Sequence, residues 1–302
     1  MRPMNINGIR IDDSFAEAFP MCGTAIAITA SSGRWAEQAA ITMTGFATSV
    51  IACGCEAGID RRLGRKETPD DRSGVRVLLF GMSKDALQTQ LMTRLGQCVL
   101  TCPGTACYAG LEAPDKLKLG SAIRYFSDGW QISKKIGDKH YWRMPVMEGE
   151  FVCEARTGMT KEAVGGGNLL IMGADFKRTL KATEAAVAAI KKVPDVIMPF
   201  PGGIVRSGSK VGSKYKQLIA STNEAYCPTL KGAVQSGLDD DINSVLEIVI
   251  DGLTSDAVAA AMKAGLAAVI KLGPKQGALR VGAGNYGGKL GPHHYHLRDL
   301  LP

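Results

Sequence analysis

The chain has 302 residues, 45% hydrophobic and 22% charged, with a formal charge of +7. That balance is globular, long enough for one large domain or two ordinary ones, and free of the polar tracts that mark disorder. No apolar run approaches the roughly 20 residues of a membrane span, and Met-Arg-Pro-Met-Asn-Ile-Asn-Gly lacks an apolar signal core, so a soluble cytoplasmic protein with no membrane partner is expected.

In chain order, Ile6, Ile9 and Ile11 alternate and lead into an amphipathic turn through Phe15 and Phe19. Residues 24–30 predict a strand. Ser31 and Ser32 then cap a helix carrying Trp35, Ala39, Met43 and Phe46 at helical spacing. Strand character resumes over 49–52 and ends at Cys53-Gly54-Cys55, and the charge-rich 60–74 is a connecting loop. Residues 75–80 form a strand, Ser83 caps a helix with Leu87, Leu91 and Leu95, and 97–101 close the unit as a strand.

The same order returns later. Residues 168–173 form a strand, and Asp175 caps a helix with Phe176, Leu180, Thr183, Val187 and Ile190. Val196 and Ile197 open the next strand, 245–251 form another, a helix from Thr254 shows Val258, Met262, Leu266 and Val269, and 278–281 are the last strand. Val50-Ile51 before Ala57-Gly58-Ile59 echoes Val196-Ile197 before Gly202-Gly203-Ile204. The expectation is an α+β fold made of a duplicated βαββαβ unit, each with an antiparallel sheet covered by helices on one face. The lobes would be 1–147 and 148–302, with 115–149 an excursion containing Trp130, Tyr141 and Trp142.

Residues 198–212 read Met-Pro-Phe-Pro-Gly-Gly-Ile-Val-Arg-Ser-Gly-Ser-Lys-Val-Gly. Pro199 and Pro201 cannot donate ladder hydrogen bonds, and Gly202 and Gly203 permit torsions other residues avoid, so the entering strand must become a rigid, non-repetitive loop. It offers the hydroxyls of Ser207 and Ser209, the cations Arg206 and Lys210, and exposed amides at Gly208 and Gly212. Such a segment suits a grip on something polar or anionic; the plainer reading is a surface loop with turn chemistry.

Glu247 stands in an otherwise apolar strand, Val245-Leu246-Glu247-Ile248-Val249-Ile250, and shares a face with Val245 and Val249. That face is either solvated or a dry cleft; in a dry cleft, desolvation raises the carboxyl pKa toward the range of a general acid or base. Asn285, Tyr286, Gly287 and Lys289 lie in a glycine-rich run after the last strand and add an amide, a stacking face and a fixed charge. Asn223 and Cys227-Pro228-Thr229 form a third polar loop, readable equally as a turn.

Several motifs fall short. Ser207-Gly208-Ser209-Lys210 lacks the GxxxxGK[ST] frame, Gly165-Gly166-Gly167-Asn168 precedes a strand instead of joining strand to helix, and no GxSxG elbow occurs. Eight cysteines without a CxxC pair read as buried reduced thiols, and His293, His294 and His296 as a solvated tail segment, so no metal ligand is assigned. The basic residues are scattered, which disfavours nucleic acid and favours a small anionic partner.

The loop at 198–212, together with Phe15-Ala16-Glu17-Ala18-Phe19-Pro20, resembles the formylmethanofuran:tetrahydromethanopterin formyltransferases. So do Leu95-Gly96-Gln97-Cys98-Val99-Leu100-Thr101-Cys102-Pro103, Cys227-Pro228-Thr229-Leu230-Lys231-Gly232, Glu247-Ile248-Val249-Ile250-Asp251-Gly252 and Ala283-Gly284-Asn285-Tyr286-Gly287-Gly288-Lys289-Leu290-Gly291. The resemblance runs in order over nearly the whole chain. It implies two ferredoxin-like lobes with loop insertions and formyl transfer between N5 of tetrahydromethanopterin and the amine of methanofuran or an analogue. These cofactors are substrates, with no metal or prosthetic group.

By the same resemblance Glu247 is the acid/base, and the anionic tails of both cofactors suit Arg206, Lys210 and Lys289. Pro201, Gly202, Gly203, Ser207, Gly208, Ser209, Asn223, Asn285, Tyr286 and Gly287 complete the expected substrate-binding set. The absence of nucleophile and metal motifs fits direct acyl transfer through a tetrahedral oxyanion. The resemblance further implies a homotetramer with shared clefts. The basic charge and extra cysteines look like the version of methylotrophic bacteria, which accompanies hydrolase subunits. A non-catalytic scaffold subunit and a ferredoxin-like small-molecule binder are the alternatives.

Overall fold

The computed structural model describes residues 4–302. The reading of the N-terminus as lacking a signal core also takes in Met1, Arg2 and Pro3, which lie outside them. The chain opens with β1 (Met4–Ile6), β2 (Ile9–Ile11) and the long β3 (Phe15–Thr29). It continues through α1 (Gly33–Thr44), the single turn α2 (Val50–Cys53), β4 (Glu56–Leu63), β5 (Gly74–Gly81) and α3 (Lys84–Arg94) to β6 (Ala106–Ala109). The excursion supplies β7 (Asp115–Lys118), α4 (Gly120–Ile123), β8 (Ile132–Ile136), β9 (Lys139–Val146) and β10 (Gly149–Glu154), and β11 (Arg156–Gly173) follows. Then come α5 (Phe176–Ile190), β12 (Val196–Ile197), β13 (Lys210–Val211), β14 (Ala220–Ser221), β15 (Ser244–Gly252), α6 (Ser255–Leu272), β16 (Arg280–Gly282) and β17 (His293–His296).

The residues group into two compact units. One is Met21–Ala163; the other joins the described residues up to Pro20 with Val164–Pro302, so the chain changes unit within β3 and again within β11. The lobes expected from sequence, 1–147 and 148–302, divide the chain elsewhere, at the turn between β9 and β10. Both units are mixed α and β with mostly antiparallel strands.

In Met21–Ala163 the strand order is β4-β5-β3-β6, antiparallel throughout. Strand β6 continues in parallel to β10, and β9 and β8 follow antiparallel. Ile26, Ile28, Val75 and Val77 are buried with Ala36, Ala40 and Met43 of α1 and Leu87 and Leu91 of α3. In the other unit the order is β16-β11-β15-β12, again antiparallel, with β2 parallel beside β16. Leu169, Ile171, Ile248 and Ile250 are buried with Ala186 and Ile190 of α5 and Met262 and Leu266 of α6.

The helix starts follow side-chain capping. Ser83, Asp175 and Thr254 accept hydrogen bonds from the backbone N–H of Ala86, Arg178 and Ala257. Ser32 occupies the N-cap of α1 without such a bond.

Several expectations change. Residues 49–52 enter the helical turn α2, ended by Gly54 in the left-handed region at φ 75°; the echo of Val50-Ile51 with Val196-Ile197 therefore pairs a helical turn with a strand. Residues 97–99 are helical and 100–101 a turn, because α3 widens into a π turn at Leu95–Val99 whose inward residues Leu95 and Val99 stay buried. Asp60 lies in β4, not in a loop, its charge met by Arg76 at 2.6 Å. Phe15 and Phe19 sit in extended β3, where Ala16 and Ala18 alternate inward. Helix α1 buries its alanine face and ends before Phe46, which is 79% exposed. His293, His294 and His296 are strand residues paired with Phe15–Ala18 of β3, not a solvated tail.

Among the described residues no helix is long and apolar enough to cross a membrane. Leu266→Ala, at a fully buried position, is expected to lower unfolding free energy by about 2–5 kcal/mol. Thr254→Ala, which removes only a cap, is expected to cost about 1 kcal/mol. Denaturant unfolding of the two variants in parallel checks both.

Candidate active site

Strand β15 owes its extended form to β-branched residues and ends at Gly252, before the Thr254 cap. Period-two alternation sends Ile248 and Ile250 into the helix-covered core and Glu247 to the opposite face, directly across from Leu170 of β11. Glu247 is only 5% exposed. It is therefore in the dry setting of the two that the sequence left open.

The loop after β12 reaches Glu247 by backbone pairing. The N–H of Val205 donates to the Glu247 carbonyl at 2.8 Å, and the Glu247 N–H donates back to Val205 at 2.9 Å. Four residues on, the Ser209 hydroxyl donates to Glu247 Oε1 at 2.8 Å. Glu247 Oε2 is buried and has no hydrogen-bond partner among the described residues. Burial pushes the Glu247 pKa up to about 7, with the Ser209 hydrogen bond opposing that rise. A carboxyl group that changes charge near neutrality, with one oxygen free, is equipped for proton transfer.

Two adjoining pockets meet at this carboxyl. One is lined by Arg206, Ser207, Gly208 and Cys227, the other by Ser209, Lys210, Asn168, Asn285 and Tyr286; Leu170, Asn223 and Tyr226 belong to both. Gly208 at φ 76° packs so closely on Asn223 that a Cβ would lie 2.7 Å from the Asn223 nitrogen. Most of the expected binding residues thus converge on Glu247.

Others stand apart. Pro201 and Gly202 are exposed and Gly203 is buried against Met198 and Val187, so these three shape the turn and do not line either pocket. Gly202 at φ 65° and Gly203 at φ 84° carry its left-handed torsions. Lys210 is committed to Glu224, with both carboxylate oxygens 2.6 Å from Nζ. Gly287 and Lys289 are exposed outside the pocket lining.

Two residues that sequence reasoning passes over organise the glycine-rich loop after β16. Glu17, 1% exposed on β3, accepts backbone hydrogen bonds from Tyr286 and Gly288 through Oε2 and from Leu290 and Gly291 through Oε1, at 2.6–2.8 Å. Burial acts against its charge, but these four donors outweigh it and lower the pKa to about 2. Asn168 donates to the carbonyls of Gly166 and Gly284 and accepts from the Gly284 N–H. The sequence does carry a signal for Glu17: a lone carboxylate between alanines in a run of apolar residues. From its far side the loop returns to Glu247, since the Tyr286 hydroxyl donates to the Ser209 carbonyl at 2.8 Å.

Among the described residues no group of three or more His, Cys, Asp or Glu is placed to hold a metal ion.

The chain matches family models over almost its whole length. Residues 4–146 match formylmethanofuran-tetrahydromethanopterin formyltransferase, and residues 149–300 match the proximal lobe of the same family. A subunit of the formyltransferase/hydrolase complex of Methylorubrum extorquens is 57% identical over 306 residues, covering 100% of this chain and 98% of that protein. Formylmethanofuran–tetrahydromethanopterin formyltransferase of Methylococcus capsulatus is 58% identical over 298 residues, 99% of this chain and 100% of that one. A crystal structure of the formyltransferase/hydrolase complex from Methylorubrum extorquens with methylofuran contains a chain that superposes with TM-score 0.97, at 57% identity over 99% of each. The formyltransferase of Methanosarcina barkeri gives 0.92 at 44% identity, over 99% of this chain and 100% of that one.

The Glu17 cradle has a measurable consequence. Its contribution to stability is complete above the ordinary carboxyl value of 4.5 and is lost as pH falls toward about 2. Thermal unfolding across that window should show a steep loss for the native chain. Glu17→Gln should melt lower at pH 7 and lose less on acidification than the native chain.

Proposed function

The chain belongs to the formylmethanofuran–tetrahydromethanopterin formyltransferase family, and on that premise we propose that it transfers a formyl group between N5 of tetrahydromethanopterin and the amine of methanofuran or an analogue. The observation that carries the mechanism is the buried Glu247 carboxyl, with Oε1 bonded to Ser209 and Oε2 without a partner among the described residues. The attacking amine adds to the formyl carbon and gives a tetrahedral oxyanion. Because Oε1 accepts from Ser209, the proton of neutral Glu247 sits on Oε2. It passes to the departing nitrogen as the carbon–nitrogen bond breaks, and the attacking nitrogen returns a proton to the carboxylate. The stretch from Ser207 to Gly208 and the carboxamide of Asn223 line the pocket beside Glu247 and are assigned to the oxyanion.

Arg206, Ser209, Lys210, Asn285 and Tyr286 complete the binding set, while Pro201, Gly202, Gly203, Gly287 and Lys289 act through loop shape or at the cleft mouth. Lys210 reaches an anionic tail only by sharing its charge with Glu224. Assembly as a homotetramer in the cytoplasm, association with hydrolase subunits, and transfer from pterin to furan amine belong to the same reading. Its support is the likeness to a protein that is itself part of a formyltransferase/hydrolase complex.

The division into lobes 1–147 and 148–302 and their origin as duplicated ferredoxin-like units are proposed as well. The family-model boundaries and the repeated strand order, β4-β5-β3-β6 and β16-β11-β15-β12, support them. A scaffold or simple binding role would give no reason to bury an ionisable carboxyl beside an open pocket.

Purified protein mixed with formyl-tetrahydromethanopterin and the furan amine should form the formylated amine. Glu247→Gln should lower kcat by about 10²–10⁴-fold with KM moved far less; unchanged turnover removes Glu247 from the mechanism. The acid form is present below the raised pKa and lost above it, so kcat for proton donation should fall as pH rises through about 7.

A further inference from the structure

We propose that Glu17 is a positioning residue for the proton donor, acting through a continuous chain of hydrogen bonds that ends on Glu247. This rests on the assignment of Glu247 above. The chain has three links. Glu17 Oε2 accepts the Tyr286 N–H at 2.6 Å, the Tyr286 hydroxyl donates to the Ser209 carbonyl at 2.8 Å, and the Ser209 hydroxyl donates to Glu247 Oε1 at 2.8 Å.

Each link has little freedom. Glu17 is held by three further amides from Gly288, Leu290 and Gly291, and a Cβ at Gly291 would collide with the Ala18 carbonyl. The Tyr286 ring lies 6.0 Å from that of Phe19, two residues along the strand from Glu17. Position is therefore passed from a fixed anion to the hydroxyl that occupies one oxygen of Glu247. By filling Oε1, that hydroxyl puts the transferable proton on Oε2, the oxygen without a protein partner. Glu17 lines neither pocket and moves no proton itself.

The test reads the pH dependence of formyl transfer. The charged and titratable groups around Glu247 are Arg206, Lys210 with Glu224, Tyr226, Cys227 and Tyr286, with Asp251 farther along the same strand. The Ser209 bond favours the ionised form of Glu247. Loosening the chain therefore weakens that bond and moves the falling limb of kcat to higher pH. Loss of the Glu17 charge acting directly across space would move it to lower pH instead. The two explanations differ in sign.

Glu17→Gln is expected to lower kcat by up to about 10²-fold, the scale of a misplaced catalytic group, and to move the limb upward. Should it fail to fold, Glu17→Asp keeps the charge, shortens the reach, and is expected to move the limb the same way. Tyr286→Phe cuts the second link alone. Glu17→Asp added to it should cause no further displacement of the limb. A limb that stays in place or moves downward in the Glu17 variants, with Glu247→Gln still inactive, overturns the positioning role and leaves the Glu247 assignment standing. An active Glu247→Gln overturns the assignment beneath it.

Discussion

One hydrogen bond, from the Ser209 hydroxyl to Glu247, joins the two parts that make this site: an apolar strand and a loop that cannot be a strand. Strand β15 supplies dryness, because its neighbours on both faces are hydrophobic. The loop supplies polarity, because two prolines and two left-handed glycines stop β12 after two residues and bulge the chain outward before it rejoins β15 at Val205. Without the strand the carboxyl would titrate as an ordinary one. Without the loop it would be a buried acid with both oxygens unmet, a costly arrangement. The structure keeps one oxygen met and leaves the other unpartnered, which separates a satisfied core carboxyl from a proton donor.

Glu17 and Glu247 show how far local donors decide the fate of a carboxyl. Both are almost fully buried in the same unit, yet burial moves one to about 7 and four backbone amides hold the other at about 2. The difference lies in which backbone each meets. Glu247 sits mid-strand, where the amides of its neighbours are consumed by the ladder. Glu17 faces a glycine-rich loop whose amides have no ladder to join. Near neutral pH the site therefore carries a permanent negative charge at the base of one loop and a switchable one at the wall of the pocket.

Much of this is legible in the sequence. The strand with Glu247, the helix stripes at Leu87 and Leu91 and at Val258, Met262 and Leu266, and the caps at Ser83, Asp175 and Thr254 rest on periodicity and local chemistry, and the structure follows them. Legibility ends where tertiary partners decide. Residues 49–52 and 97–101 are apolar enough for strands but too short for composition to separate a strand from a turn of helix. Asp60 reads as a loop residue until Arg76 faces it. Lys210 reads as a cation for substrate because nothing in its own segment announces Glu224. Glu17 escapes for the same reason: its four donors lie 269–274 residues away.

That separation bears on how the protein is made. A growing chain can complete β15 and present Glu247 while residue 286 is still being added, but Glu17 then lacks the four amides that hold it. Two segments about 270 residues apart close the site, and they can meet only after the later one is made. A chain interrupted a few residues short of Tyr286 keeps most of the hydrophobic core of this unit and has nothing to hold Ser209 from behind, so the geometry of the site waits on the loop that follows β16.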